Sequence, residues 1–129
     1  MTLNMNQQLN KNFHLYEFKC KCGCEMPEHV GANIVRLVSV VLQPLRDTHG
    51  VIHVNSGYRC EEYNKHVGGV THSKHILGEA ADITVRGFSS QCIQAYLDKF
   101  MANLGYGGVG SYQGFTHVDI RANATRWNG

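Results

Sequence analysis

The ten residues Ser73-Lys74-His75-Ile76-Leu77-Gly78-Glu79-Ala80-Ala81-Asp82 decide how this chain is read. A histidine and an aspartate are separated by a short run that contains one glycine and two adjacent alanines. Neutral imidazole and carboxylate are both good zinc ligands. The separation is too long for one helical face, where partners sit three or four positions apart. It suits a loop that delivers His75 and then enters a strand with Asp82 near its start. Gly78 allows the chain to turn sharply there, and small Ala80 and Ala81 allow it to pack closely.

At the end of this run, residues 81–85 alternate as a half-buried strand does. Asp82 and Thr84 share one face, and Ile83 and Val85 share the other. Residues 116–120 repeat the pattern, with His117 and Asp119 opposite Val118 and Ile120. Two such strands bury their β-branched residues and present polar groups to a common cleft. His117 then completes a His75/Asp82/His117 set. Three protein ligands leave a fourth position open, the arrangement of catalytic rather than structural zinc.

The remaining elements give an α+β fold, a single domain with a small antiparallel sheet flanked by helices. Ile34, Val38, Val41 and Leu45 recur at helical spacing and predict a helix over 32–49, which Pro44 is expected to kink or end early. Residues 51–55 read as a strand, Ser56-Gly57 as a turn and 60–66 as a short helix, followed by a flexible Gly68-Gly69 pair. A second helix runs from Ser89 to Leu104, capped by Ser89 or Ser90 and stopped at Gly105. Its inner side carries Ile93, Tyr96, Leu97, Phe100 and Leu104. Residues 106–112 and 116–120 form two strands joined at Gln113-Gly114. Residues 1–12 are polar and read as a disordered or loosely docked lead-in to a domain spanning 13–129.

With 129 residues the chain fits one domain that buries a real core. A net charge of +2 and the absence of a dense Lys/Arg run argue against nucleic acid as a partner. No stretch has the roughly 20 apolar residues needed to span a bilayer, so no membrane partner is expected. The first residues lack the apolar centre of a signal peptide. Nothing points to more than a monomer.

Ser56-Gly57-Tyr58-Arg59, Asn64, Gly68-Gly69, the Ser73–Asp82 run and His117-Val118-Asp119 together resemble the M15 peptidases. These are the D-alanyl-D-alanine carboxypeptidases and related peptidoglycan endopeptidases, which share a metal-site fold with the hedgehog signalling domain. The resemblance extends over roughly residues 13–127, from Phe13-x-x-x-Glu17-Phe18 to Arg126-Trp127. It implies zinc as cofactor, held by His75, Asp82 and His117, and peptidoglycan stem peptides as substrate. Arg59 corresponds to the arginine that stabilises the developing oxyanion, and Ser73 to a serine near the substrate or the metal loop. Relatives place a general base two or three residues before the last zinc histidine, where this chain has Phe115 and Gly114. Asp119 is then the nearest carboxylate, either as base or as a partner that orients a ligand, and Glu79 is a weaker candidate. The resemblance also implies action on the cell wall. A chain without a leader is expected to stay in the cytoplasm until released, as a phage or prophage protein would be.

Other residues read more plainly. His72 is expected to be an exposed loop histidine, and His14, His29, His49, His53 and His66 to carry no chemistry. Cys20, Cys22 and Cys24 are spaced more tightly than usual structural zinc ligands. They are read as reduced, packed thiols, with a metal or a disulfide that recruits Cys60 as the alternative. Cys92 is expected in the core. Tyr106, Tyr112, Phe115 and Trp127 are expected to be core residues, although Tyr112 and Trp127 lie near the site in sequence. Two rival functions remain: a zinc-loaded module that grips wall peptides without cutting them, and a structural part of a phage particle or secretion device.

Overall fold

The alternation read at 81–85 and 116–120 becomes the centre of a five-stranded sheet in the computed structural model, which describes residues 3–129. In chain order the strands are β1 (Gln8–Leu9), β2 (Phe13–His14), β3 (Ile52–Ser56), β4 (Ala80–Val85), β5 (Gly108–Tyr112), β6 (Phe115–Asp119) and β7 (Thr125–Asn128). β1 and β2 form a separate ribbon, and the main sheet runs β3-β4-β6-β5-β7. Its first four strands are antiparallel neighbours, and β7 adds to β5 in parallel. The expected antiparallel sheet is therefore present and gains a parallel edge strand. That strand is short and polar, so its sequence carries no period-2 signal.

The register between β4 and β6 matters most. Asp82 lies directly opposite His117, and Ala80 opposite Asp119. Side chains paired in this way are close neighbours on one face of the sheet. On the other face, Ala81, Ile83, Val85 and Val118 are buried in the core with Val109 of β5.

The helices are α1 (Glu28–Leu37), α2 (Gln43–His49), α3 (Glu61–His66) and α4 (Ser90–Ala102). α1, α2 and α4 bury apolar residues in the core, whereas α3 buries Asn64, which accepts from Arg59. α1 begins one turn earlier than expected, just after Pro27, because Val30 extends the buried stripe of Ile34, Leu37, Val41 and Leu45. Pro44 neither ends nor breaks the run. A π-helical turn over Val38–Leu42 joins α1 to α2, and the Gln43 N–H bonds to Val38 O. Pro44 thus falls in the first turn of α2, where a missing N–H costs no internal hydrogen bond.

α4 buries Ile93, Leu97 and Met101 at four-residue steps, with Ser89 as its cap. The Ser89 hydroxyl accepts from Cys92 N at 3.1 Å. Two expectations are corrected here. Leu104 lies beyond the last helical turn and is exposed, while Met101 takes the inner position. Cys92 is exposed rather than core, because it sits about 100° around the helix from Ile93. Ser90 pins α4 to the sheet through Ser111 Oγ at 3.1 Å and Tyr112 O at 2.6 Å.

In the lead-in, Met1 and Thr2 lie outside the described residues. Leu9 is buried in the core, and the backbone N–H groups of Lys11 and Asn12 donate to Gln43 Oε1 at 3.1 and 3.2 Å. Among the described residues no helix is long and apolar enough to cross a membrane.

Gly78 closes the 3-10 turn Lys74–Leu77 that carries His75, in a left-handed conformation with φ 76°. A Cβ there would stand 2.6 Å from Val30 O of α1. Gly78→Ala is therefore expected to cost about 1–3 kcal/mol. Urea unfolding should show a lower midpoint at unchanged slope.

Candidate metal centre and its cleft

β4 and β6 bring Asp82 and His117 together, and the 3-10 turn before β4 swings His75 over them. One donor atom from each of the three residues lies within 4.8 Å of the others. His75 Nε2 is 3.2 Å from Asp82 Oδ1, and His117 Nδ1 is 3.0 Å from the same oxygen. Tetrahedral zinc with ordinary nitrogen and oxygen bond lengths separates its ligand atoms by about 3.4 Å, close to this spacing.

The far side of each ring decides what the near side can do. His75 Nδ1 lies 2.7 Å from Gly57 O. His117 Nε2 lies 2.7 Å from Asp119 Oδ2. A carbonyl and a carboxylate only accept, so these two nitrogens carry hydrogens. In the neutral rings, His75 Nε2 and His117 Nδ1 are then bare lone pairs, and both face a carboxylate oxygen. Three acceptors pointed at one spot repel unless a cation lies between them. The donor set therefore fits a metal ion, and the carbonyl and carboxylate behind the rings are the usual orienting partners of metal-bound histidines.

A proton can take the cation's place. Burial pushes the Asp82 carboxyl up, but its contacts with His117 and His75 outweigh that and hold it below the ordinary carboxylate range. Burial likewise opposes ionisation of Asp119, and His117 and Arg121 overcome it. Burial pulls the His117 imidazole down, but Asp119 and Asp82 outweigh it and raise it overall, so a second proton on Nδ1 and a metal ion compete for the place beside Asp82.

Asp119 is fully buried and saturated. Besides His117 it accepts from Gly108 N at 2.9 Å, from Arg121 N at 3.0 Å, and from the Arg121 guanidinium at 2.7 Å. Glu79 lies apart, in a separate groove with Arg36, Tyr106 and Ile120. Arg59 reaches the centre and is held in place. Its Nη2 donates to Asp82 Oδ2 at 3.3 Å, its Nε to Ser56 Oγ at 3.2 Å and its Nη1 to Asn64 Oδ1 at 3.3 Å. Ser73 caps the His75 turn, accepting from His75 N at 3.2 Å.

A cleft of about 640 Å³ opens over these three residues. Val67 to Val70, His72 and Lys74 form one side, with His72 exposed as expected. Tyr112, Phe115 and Trp127 form the other, so these aromatics line the cleft rather than fill the core. Tyr112 and Phe115 stack at 4.7 Å, and Trp127 Nε1 donates to Tyr112 OH at 2.8 Å. Tyr106 alone of the four packs against the core.

Two features go beyond the sequence expectations. Arg121 continues the alternation of His117 and Asp119 by two residues, so a signal for it exists. Its guanidinium clamps Asp119 and lies 5.0 Å from the Trp127 ring centroid. The Gly57 carbonyl behind His75 is a backbone group, and no residue type announces it.

A model of the peptidase M15 family matches residues 11–119. The chain belongs to the M15 peptidases. This is a zinc-dependent metallopeptidase family, and the three ligands implied by the resemblance are the three that converge here. No curated protein matches the chain in sequence.

In this M15 peptidase Asp119→Asn keeps the shape behind His117 but removes the charge. Zinc affinity is expected to fall about 10–100-fold. Competition against a chromophoric chelator measures it.

Proposed function

We propose that the chain is a zinc peptidase that hydrolyses peptide bonds in the stem peptides of bacterial peptidoglycan, at a bond next to a D-amino acid. The observation that carries this reading is the set of three converging lone pairs beside a fixed arginine, at the floor of an open cleft. Zinc bound there supplies Lewis acidity toward a peptide carbonyl and lowers the pKa of a water.

The chain's own residues supply the rest. His75, Asp82 and His117 hold the metal and leave one side open to the cleft. Arg59 is braced by Ser56 and Asn64, so its charge is in position before substrate arrives. A pre-placed cation of this kind stabilises the oxygen on which charge develops. Asp119 holds the His117 Nε2 hydrogen and orients the ring. It has no free oxygen for a water, which favours the positioning role over that of general base. Ser73 fixes the turn that presents His75. Arg59, Lys74 and Arg121 line the cleft, and Asp82 is the one carboxylate among its described lining residues. That balance suits a peptide rich in carboxylates, as stem peptides are. The aromatic wall offers flat apolar surface to the peptide backbone.

One observation favours a second reading, a zinc-containing module that binds wall peptides without cutting them. The positions where relatives carry the base hold Gly114 and Phe115. Zinc-loaded protein incubated with purified peptidoglycan and muropeptides, analysed by mass spectrometry, separates the two. New fragments from the wild type and none from His75→Ala are expected. Loss of a single alanine would identify a carboxypeptidase, and a split stem or bridge an endopeptidase. Binding without any product would sink the enzyme reading for these substrates.

Arg59→Ala tests the oxyanion role separately. Turnover should fall about 10²–10³-fold, with zinc content unchanged by elemental analysis. An equal loss of zinc would instead make Arg59 a support of the metal centre.

A further inference from the structure

Cys20, Cys22 and Cys24 follow one another at every second position, and Cys60 lies far along the chain, directly after Arg59. The fold brings all four thiols together, with one sulfur from each within 4.8 Å of the others. Cys20 Sγ is 3.4 Å from Cys22 Sγ and 3.9 Å from Cys60 Sγ, and Cys22 Sγ is 3.7 Å from Cys60 Sγ. None of the four is in a disulfide.

We propose that Cys20, Cys22, Cys24 and Cys60 form a second, closed metal site that takes zinc as a tetrathiolate. It shares no ligand with His75, Asp82 and His117 and has no open position, so its role is structural.

Two observations carry this. The first is spacing. Zinc with Zn–S bonds of about 2.3 Å separates tetrahedral sulfurs by about 3.8 Å, and the measured sulfur contacts bracket that value. A four-sulfur set of this kind selects zinc or iron. Zinc is the redox-silent choice for a site with no redox partner among the described residues.

The second is the backbone around the sulfurs. Gly23 N donates to Cys20 O at 3.0 Å, which folds the tight segment into a turn with its thiols on one side. Cys60 N donates to Cys20 Sγ at 3.5 Å, and Tyr63 N to Cys60 Sγ at 3.4 Å. Amide donors aimed at sulfur favour the thiolate, which is the form that binds metal.

The site would fasten two segments that already touch. Tyr58 N donates to Phe18 O at 2.8 Å, and a Cβ on Gly57 would stand 2.7 Å from Phe18 Cα. Gly57 supplies the carbonyl behind His75, and Arg59 lies between it and Cys60. A metal at the thiols therefore braces the loop that orients the peptidase centre from behind.

The test is metal content and thiol reactivity, neither of which depends on catalysis. Purified protein of this sequence is loaded with zinc, passed through a desalting column and measured by elemental analysis. Two equivalents per chain are expected for the wild type. His75→Ala/His117→Ala should keep one, and Cys22→Ser/Cys24→Ser, changed at two exposed positions, should keep the other. In zinc-loaded wild type a thiol reagent should label Cys92 alone, and after chelation all five cysteines. Cobalt substitution of the wild type should give an intense thiolate-to-metal band, which remains informative if the serine variant fails to fold. A single zinc lost only with the histidines would overturn the proposal. So would iron at the thiols, five reactive thiols in zinc-loaded protein, or an intact mass lacking a disulfide's two hydrogens. Failure of the peptidase assay would leave each of these readouts unaffected.

Discussion

Asp82 Oδ1 faces two imidazole nitrogens that, in their neutral form, have no hydrogen to offer it. Their hydrogens are committed behind them, to the Gly57 carbonyl and the Asp119 carboxylate. The fold has to hold three mutually repelling acceptors at hydrogen-bond distance, and it sets two of them on the central strands of its sheet. Asp82 and His117 are a directly opposed pair on the two central strands. A register slip of one residue would turn Asp82 toward the core and Ile83 toward the cleft. The apolar alternation that buries Ile83, Val85 and Val118 is thus the same constraint that aims the ligands. Core packing and metal geometry are not separate achievements of this sequence.

Much of this is legible in the sequence alone. Period-2 alternation places Asp82 with Thr84 and His117 with Asp119, and those faces hold. The apolar stripe of the first helix is visible from Ile34 onward. What the sequence hides has physical reasons. β7 is four residues long and polar, so it carries no pattern, yet it supplies Trp127. The π-helical turn that absorbs Pro44 depends on packing around Val38–Leu42 rather than on any residue signal. Alternation gives Asp119 a face and not the hydrogen bonds made on it, so it does not separate a base from a positioning partner. The bonds from Gly108, His117 and Arg121 that saturate this carboxylate are a tertiary fact. So is the meeting of Cys60 with Cys20, across 40 residues of sequence.

The segment from Gly57 to Cys60 ties these parts together. A bulge in β3 between Val54 and Ser56 releases the chain from the sheet edge just before it. Within four residues it then gives a carbonyl to His75, a buried ring to the core, a guanidinium to the centre and a thiol to the cysteine cluster. The elements that flank it are regular, whereas this stretch is irregular and functionally dense. Bulges next to sites commonly re-aim side chains in this way.

The strand Gly108-Val109-Gly110 has a consequence for how such a site could change over generations. Gly110 lies beside Trp127 in the parallel pair, and a Cβ on it would stand 2.8 Å from the indole Cζ2. Gly108 stands in the same relation to Asp119, where a Cβ would come within 2.6 Å of Oδ2. Each glycine is the mould of a larger neighbour. The constraint runs one way: a bulkier residue at 110 demands a smaller side chain at 127, whereas a smaller side chain at 127 simply widens the open cleft. A lineage that remodels this aromatic wall therefore has to change position 127 before position 110.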